Sequence, residues 1–270
     1  MTTGLHRVRA SNAGPMTLSG TNSYLLTRGE TVWVVDPGPA DRDHLQELLD
    51  VVVATGAHEV GGIVLTHHHA DHTDGVAALQ RALSAASRRS GRREIPVWAA
   101  DPHLVPRSTP IPDLIGPMDD PVAEVIRTPG HTGDSLCLLL PGGRLLTGDT
   151  VLGHGTSVIM ADGSLRTYLD VLRFLRDMAA DGTLVSIHPG HGDEIEGPQA
   201  IHEHLGALIE HREARIREVQ AAMWADLTVD QTVEHLYGEQ LSFVPEEHRA
   251  QLRSAAALNV EAAIEYLSGN

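Results

Sequence analysis

Two textures divide the chain. Up to about residue 195, short apolar runs alternate with turns rich in Gly, Pro, Asp or Asn: NSYLLT, TVWVVD, GGIVLT, IPVWAA, VAEVIRT, SLCLLL, GRLLTGD and TLVSIH. Runs of this length, bounded in this way, predict strands. Between them, residues 41–55, 74–87 and 167–180 repeat apolar positions every three to four residues, as at Leu169, Leu172, Phe174 and Leu175, and predict helices. From about Gln199 the pattern is helical throughout, in AIHEHLGALIEHREARIREVQAAM, TVDQTVEHLYG and RAQLRSAAALNVEAAIEYL. A boundary is therefore expected near Gly197–Pro198, with a mixed domain over residues 1–197 and a helical appendage over 198–270.

The predicted strand GGIVLT runs directly into THHHADHTDG, which places four histidines and two aspartates in the eight residues from His67 to Asp74. A helix here would align His68 and His72 as in zinc-binding protease helices, but that motif requires Glu directly after its first His, and His69 stands there. As a strand running into a loop, the segment points His67, His69 and Asp71 one way and His68 the other, with His72 able to join Asp71 at the turn into the next helix. The flanking strand and helix favour this second reading. Mixed imidazole and carboxylate donors suit zinc, and also iron or manganese. Three more Gly-rich turns behind apolar runs add donors: His131 in TPGHTGDS, Asp149 in LLTGDT, and His188 with His191 in SIHPGHGDE. Loops of this kind are expected to gather at one edge of a layered sheet structure.

Composition narrows the options. Of 270 residues 41% are hydrophobic, ample for a core, while no apolar run approaches the roughly 20 residues of a membrane span. The opening MTTGLHRVRA lacks a signal-peptide stretch, so a cytoplasmic location without a membrane partner is expected. A single cysteine, Cys137, excludes an internal disulfide and a Cys-based metal site, and reads as a small core residue. The net charge is −16, from 36 acidic and 20 basic residues, and all of the basic residues are arginine. Residues 198–270 carry twelve Asp and Glu against five Arg, a poor surface for a polyanion. The densest basic patch, SRRSGRRE, reads as an exposed helix end and turn, and Arg212, Arg215 and Arg217 form the other local stripe.

Taken in order, VVDPG, THHHADH, PGHT, TGDT and HPGHG resemble the motifs of the metallo-β-lactamase-fold hydrolases over roughly residues 14–195. AGPMTLSGTNSYLL and EHREARIREVQ are similar to the branch containing the endoribonuclease lactamase-β-2, whose members carry a small winged-helix-like C-terminal domain. The resemblance implies an α/β fold, a four-layer αββα sandwich over residues 1–197, followed by a winged-helix-like domain over 198–270 that is abbreviated or wholly helical. It also implies two divalent cations, zinc being expected and iron or manganese being alternatives. His67, His69 and His131 would hold the first, Asp71, His72 and His191 the second, and Asp149 would bridge them.

By the same resemblance Asp71 is both ligand and catalytic proton acceptor. His191 is preferred to His188 because the family ligand lies within GHG, and His188 is expected to be structural. Asp36 and Asp74 are expected to orient imidazoles, Asp74 being alternatively a helix N-cap. His154, Thr156 and Tyr168, in the segment after Asp149, are candidates to line the substrate cleft. The function implied is hydrolysis of a small ester or thioester by water shared between the cations. The alternative is a metal-dependent endoribonuclease acting on single-stranded RNA, and β-lactam hydrolysis and non-catalytic metal binding rank below both.

Overall fold

A computed structural model describes residues 3–89 and 94–269. The arginine-rich turn read from the sequence crosses residues 90–93, outside them. The first sheet contains β1 (Gly4–Arg9), β2 (Asn22–Arg28), β3 (Thr31–Val35), β4 (Glu59–Val64), β5 (Val97–Ala99) and β6 (Thr109–Pro110), paired in that order. Helices α1 (Arg42–Ala54), α2 (Ala70–Thr73) and α3 (Val76–Arg89) are interleaved with it. In the second sheet β7 (Leu114–Ile115), β8 (Ala123–Arg127), β9 (Leu136–Leu140), β10 (Arg144–Gly148), β11 (Ser186–Pro189) and β12 (Ile195–Glu196) are again neighbours in chain order. Helix α4 (Leu165–Ala180) connects β10 to β11, and α5 (Pro198–Trp224), α6 (Val229–Ser242) and α7 (Glu246–Ser268) complete the chain.

Strand periodicity creates the layers. On β3, Val32 and Val34 pack with Leu48 of α1 and Leu79 and Leu83 of α3, whereas Trp33 and Val35 face the second sheet. On β9, Leu136, Leu138 and Leu140 face the first sheet, and Cys137 packs outward among Leu169, Leu172 and Leu175 of α4. Helix, sheet, sheet and helix are thus stacked with three apolar seams, the αββα order implied by the resemblance. Central strands buried on both faces read as continuous apolar runs, which is why they were legible. Burial also raises the Cys137 thiol to about 11, so this cysteine is an inert core residue.

The sequence reading missed β1, β6, β7 and β12. β1 is an edge strand with two exposed positions, and the other three are two residues long, too short to show a period. Among the described residues 198–269 only helices occur. Their inner faces, including Ile201, Leu205, Val233 and Val260, join one apolar cluster with α4 and β9–β11. No helix among the described residues is long and apolar enough to cross a membrane.

Candidate metal centre

The donors stand where strands of both sheets end. β3 and β4 are parallel, β10 and β11 are parallel, and β8 shares the direction of β10 through two antiparallel steps across β9. Immediately beyond their carboxyl ends lie Asp36 after β3, His67 after β4, His131 after β8, Asp149 after β10 and His191 after β11. One edge of the sandwich therefore collects donors from segments far apart in sequence.

His67, His69, His131 and Asp149 form one group, and Asp71, His72 and His191 a second. In the first group His67 Nε2 and His131 Nε2 lie 3.0 and 3.1 Å from His69 Nδ1. In the second, His191 Nε2 lies 3.3 Å from His72 Nε2 and 3.1 Å from Asp71 Oδ2. Asp149 stands between them. Its Oδ2 is 3.9 and 3.8 Å from His67 and His131, and its Oδ1 is 3.4 Å from both His72 and His191. The family-implied ligands are thus brought together in the expected division. Strand parity, however, had aligned Asp71 with His67 and His69; the chain enters α2 at Ala70, and that turn carries Asp71 round to His72.

The imidazoles are fixed from behind. Asp36 accepts hydrogen bonds from Thr66 N (2.8 Å), Thr66 Oγ1 (2.6 Å) and His72 Nδ1 (2.9 Å). Because Thr66 gives its proton to Asp36, its oxygen accepts from His67 Nδ1 at 3.1 Å. His131 Nδ1 donates to Val158 O at 2.5 Å and His191 Nδ1 to Gly20 O at 3.3 Å. These bonds place an N–H on Nδ1 in all four rings and turn four Nε2 atoms inward. Asp36 sits at φ 49°, a backbone state that Asp tolerates better than most residues. Asp74 is exposed at the junction of α2 and α3 and takes no part in this orientation.

A cation suits the space these donors enclose. Tetrahedral coordination at Zn–N distances near 2.0–2.1 Å puts donor atoms about 3.3 Å apart, close to the nitrogen separations here. Two lone pairs, on His67 and His131, converge on one His69 nitrogen that can donate to only one of them. Buried Asp149 Oδ1 makes no well-formed hydrogen bond, its nearest donors on His72 and His191 standing 3.4 Å away. A buried carboxylate oxygen without a well-formed hydrogen bond is expensive, and a divalent ion satisfies it. Gly190 permits the close fit, since a Cβ there would lie 2.7 Å from Asp149 Oδ1.

The two groups differ electrostatically. Burial, then the neighbouring imidazoles, holds His67 well below the usual histidine range and His69 at about 4; burial also lowers His131. Burial opposes the charge on His72 and His191 too, but Asp149 with Asp71 outweighs it, raising His72 well above the ordinary value and His191 to about 9. Against the upward push of burial, His72 and His191 hold Asp71 at about 2 and Asp149 well below the carboxylate range.

His68 turns away to Asp134, 2.9 Å from its Nδ1, and His188 bonds Ser186 within β11, so neither joins the groups. His154 and Thr156 line a cleft of about 700 Å³ above the donors. Tyr168 does not. Ser164 caps α4 earlier than the sequence reading placed its start, so Tyr168 falls on the helix's buried face, under Arg212.

Sequence reasoning also missed the clamps. Asn22 donates to Pro189 O and Gly192 O and so holds the His191 turn, while Arg212 donates to Ser157 O beside the segment that orients His131. Both are long-range polar contacts without a local sequence signal, apart from their being polar in otherwise apolar surroundings.

The sequence signature described as the metallo-beta-lactamase superfamily matches residues 16–191. A beta-lactamase-like protein 2 homolog from Caenorhabditis elegans is 33% identical over 219 residues, 79% of this chain and 68% of that protein. An atrochrysone carboxyl ACP thioesterase from Aspergillus fumigatus is 31% identical over 218 residues, 80% of this chain and 64% of that protein. The chain thus spans about two thirds of the length of these curated relatives. The crystal structure of a metallo-beta-lactamase family protein from Thermus thermophilus superimposes with a TM-score of 0.71 over 98% of this chain and 93% of that one, at 21% identity. Signature, relatives and fold agree with the geometry of the strand-end donors, and the chain belongs to the metallo-β-lactamase superfamily.

Proposed function

We propose that the chain is a binuclear metal-dependent hydrolase acting on small, uncharged esters or thioesters. The observation that carries the chemistry is Asp149, one carboxylate turned towards both donor groups, with Oδ2 facing His67 and His131 and a loosely held Oδ1 facing His72 and His191. Two divalent cations there, zinc being favoured and iron or manganese also suited to the donors, would make a shared water acidic enough to ionise near neutral pH and would polarise the carbonyl under attack.

The chain's own part is orientation and proton handling. Asp36, Thr66, Val158 O and Gly20 O hold the imidazole tautomers that present Nε2 to the site. The Asp71 side chain is 30% exposed against 12% for Asp149, so it is the carboxylate more open to the cleft. Ionised at neutral pH, Asp71 would hold the second cation with His72 and His191 and would be the carboxylate placed to take a proton from the attacking water.

The cleft supports the substrate class. Its volume falls in the range of small-molecule sites, and among the described residues that line it Asp71 and Asp149 are the only acidic or basic ones besides histidine. A single-stranded RNA would need cations along its track, and no arginine among the described residues lines the cleft. The thioesterase name of the Aspergillus fumigatus relative favours a thioester.

One metal-loaded preparation, assayed in parallel on a thioester panel and on single-stranded RNA, tests the proposal. Thioester hydrolysis that disappears in Asp149→Ala is expected. RNA cleavage lost in the same variant overturns the substrate class, and thioester hydrolysis surviving in it overturns the centre.

A further inference from the structure

One wall of the cleft comes from the two last helices, and their contributions are periodic. Tyr237, Gln240, Leu241 and Val244 follow i, i+3, i+4, i+7 spacing along and just beyond α6. Leu252, Ala255, Ala256 and Asn259 repeat the same spacing on α7. On each helix these positions fall on one face, with Gln251 beside Leu252 on α7, and they line the same cleft as the metal-site residues His69, Asp71 and His131. Met16 and Leu18 of the loop before β2 add apolar surface to the lining.

We infer that this wall is an acyl-chain subsite: the α6–α7 stripes receive the apolar acyl group of an uncharged ester or thioester and set the chain length accepted. The inference rests on the proposed hydrolase activity and narrows its substrate. The two α7 alanines are the gauge. At the centre of the stripe they leave room that a larger residue would occupy. Ala256 belongs to the core cluster, whereas Ala255 stands outside it although only 8% exposed, so Ala255 is the position at which bulk is added to the cleft rather than to the core.

The lining also says what the substrate lacks. No arginine among the described residues contributes to it, and the chain contains no lysine, so a carboxylate at the far end of the acyl group would be buried without a counter-charge. This sets an apolar acyl chain apart from dicarboxylic acyl groups and from anionic thiol carriers drawn into the cleft.

The metal-loaded protein is assayed on N-acetylcysteamine thioesters from acetyl to dodecanoyl, with succinyl as the acid-ended match to butyryl. Each methylene buried is expected to raise kcat/KM about fourfold, the ratio that corresponds to about 0.8 kcal/mol. The gain should lie in KM, because a methylene binds alike in ground and transition states. Butyryl should exceed succinyl by more than tenfold. In Ala255→Leu the octanoyl-to-acetyl ratio should fall at least tenfold, and in Leu252→Ala the preferred length should increase, with metal content and circular dichroism confirming that both variants are folded and loaded. A flat chain-length profile, a preference for succinyl, or unchanged ratios in both variants overturns the subsite while leaving the hydrolase reading intact. Absence of hydrolysis of every thioester and of the p-nitrophenyl esters of the same acyl groups overturns the proposed function itself, and the subsite with it.

Discussion

Asp36 holds two metal-site rings through one carboxylate, directly for His72 and through the Thr66 hydroxyl for His67. Asp36→Asn is the closest replacement, because Asn also tolerates the left-handed backbone at φ 49°. An amide has a single acceptor. If its oxygen keeps the Thr66 N–H, its NH₂ confronts the Thr66 hydroxyl and His72 Nδ1–H, and two charge-assisted hydrogen bonds of about 1.5–3 kcal/mol each are lost. The metal-free protein should therefore lose about 3–6 kcal/mol of stability, visible as a lower urea midpoint at constant slope.

Freed from their tautomers, His67 and His72 should bind metal about 10–100-fold more weakly, a loss of about 1.4–2.7 kcal/mol per set, measured by competition with a chromophoric chelator. Thr66→Val removes only the relay to His67 and should weaken only the set containing His67, His69 and His131. Since Thr66 acts on His67 through Asp36, the double variant should bind at that set no more weakly than Asp36→Asn alone. Additive losses in the cycle, or wild-type affinity at both sets in Asp36→Asn, would refute the shared-carboxylate relay.

Asp149→Ala should reduce the metal content below two ions per chain by elemental analysis, while His68→Ala leaves it unchanged, its hydrogen bond running outward to Asp134; two tightly held ions without Asp149 would rule out a bridge. Metal uptake should be pH-asymmetric: an ion must displace protons from His72, raised well above the ordinary range, and below about pH 9 from His191, so the affinity of the Asp71/His72/His191 set should rise with pH through about 9, with proton release in calorimetry across two buffers. The other set, with His69 at about 4 and His67 and His131 also lowered, is neutral at pH 7 and should load without releasing protons. In the metal-free protein the raised His191 contributes stability that is full below about pH 6.5 and lost as pH rises through about 9, which a urea series would detect. Arg212→Met should weaken metal binding at the His131 set about tenfold by releasing the 157–159 segment; unchanged affinity would show that the arginine serves packing alone.

The candidate donors were legible because they follow apolar runs, His67 to His72 directly after β4 and His131, Asp149 and His191 in short Gly-containing turns after β8, β10 and β11. What defeated local reading was local geometry of other kinds. Two-residue strands carry no period. Parity along an extended chain failed at Ala70, where four residues of helix turn Asp71 to the second set. Tyr168, expected at the cleft from the first turn of a helix starting at 167, lies one turn inside α4 behind the Ser164 cap and on its core face. Asn22, Thr66 and Arg212 act through partners up to 170 residues away, and a single chain without contacts offers nothing that marks such pairs.

The change of texture near residue 197 separates strands from helices, but the hydrogen bonds that support the site run across it. Arg212 of α5 is buried without a carboxylate partner and donates to Ser157 O and to Asn259 Oδ1 of α7 at 3.1 Å; the same Asn259 oxygen accepts from Ile159 N at 3.1 Å. Ser157 Oγ donates to Asp149 O, and Val158 O orients His131, so three consecutive residues join two helices to two metal-site residues. His204 of α5 fixes Leu152 O of the same cleft segment at 3.0 Å. An uncompensated buried cation is costly, and its neutral partners here are backbone and amide oxygens whose positions it fixes. Helix α7, which lines the cleft through Leu252, Ala255 and Ala256, therefore also joins α5 in holding residues 152–159, so a change in how these two helices pack should move the cleft lining and the His131 and Asp149 side of the donor cluster together.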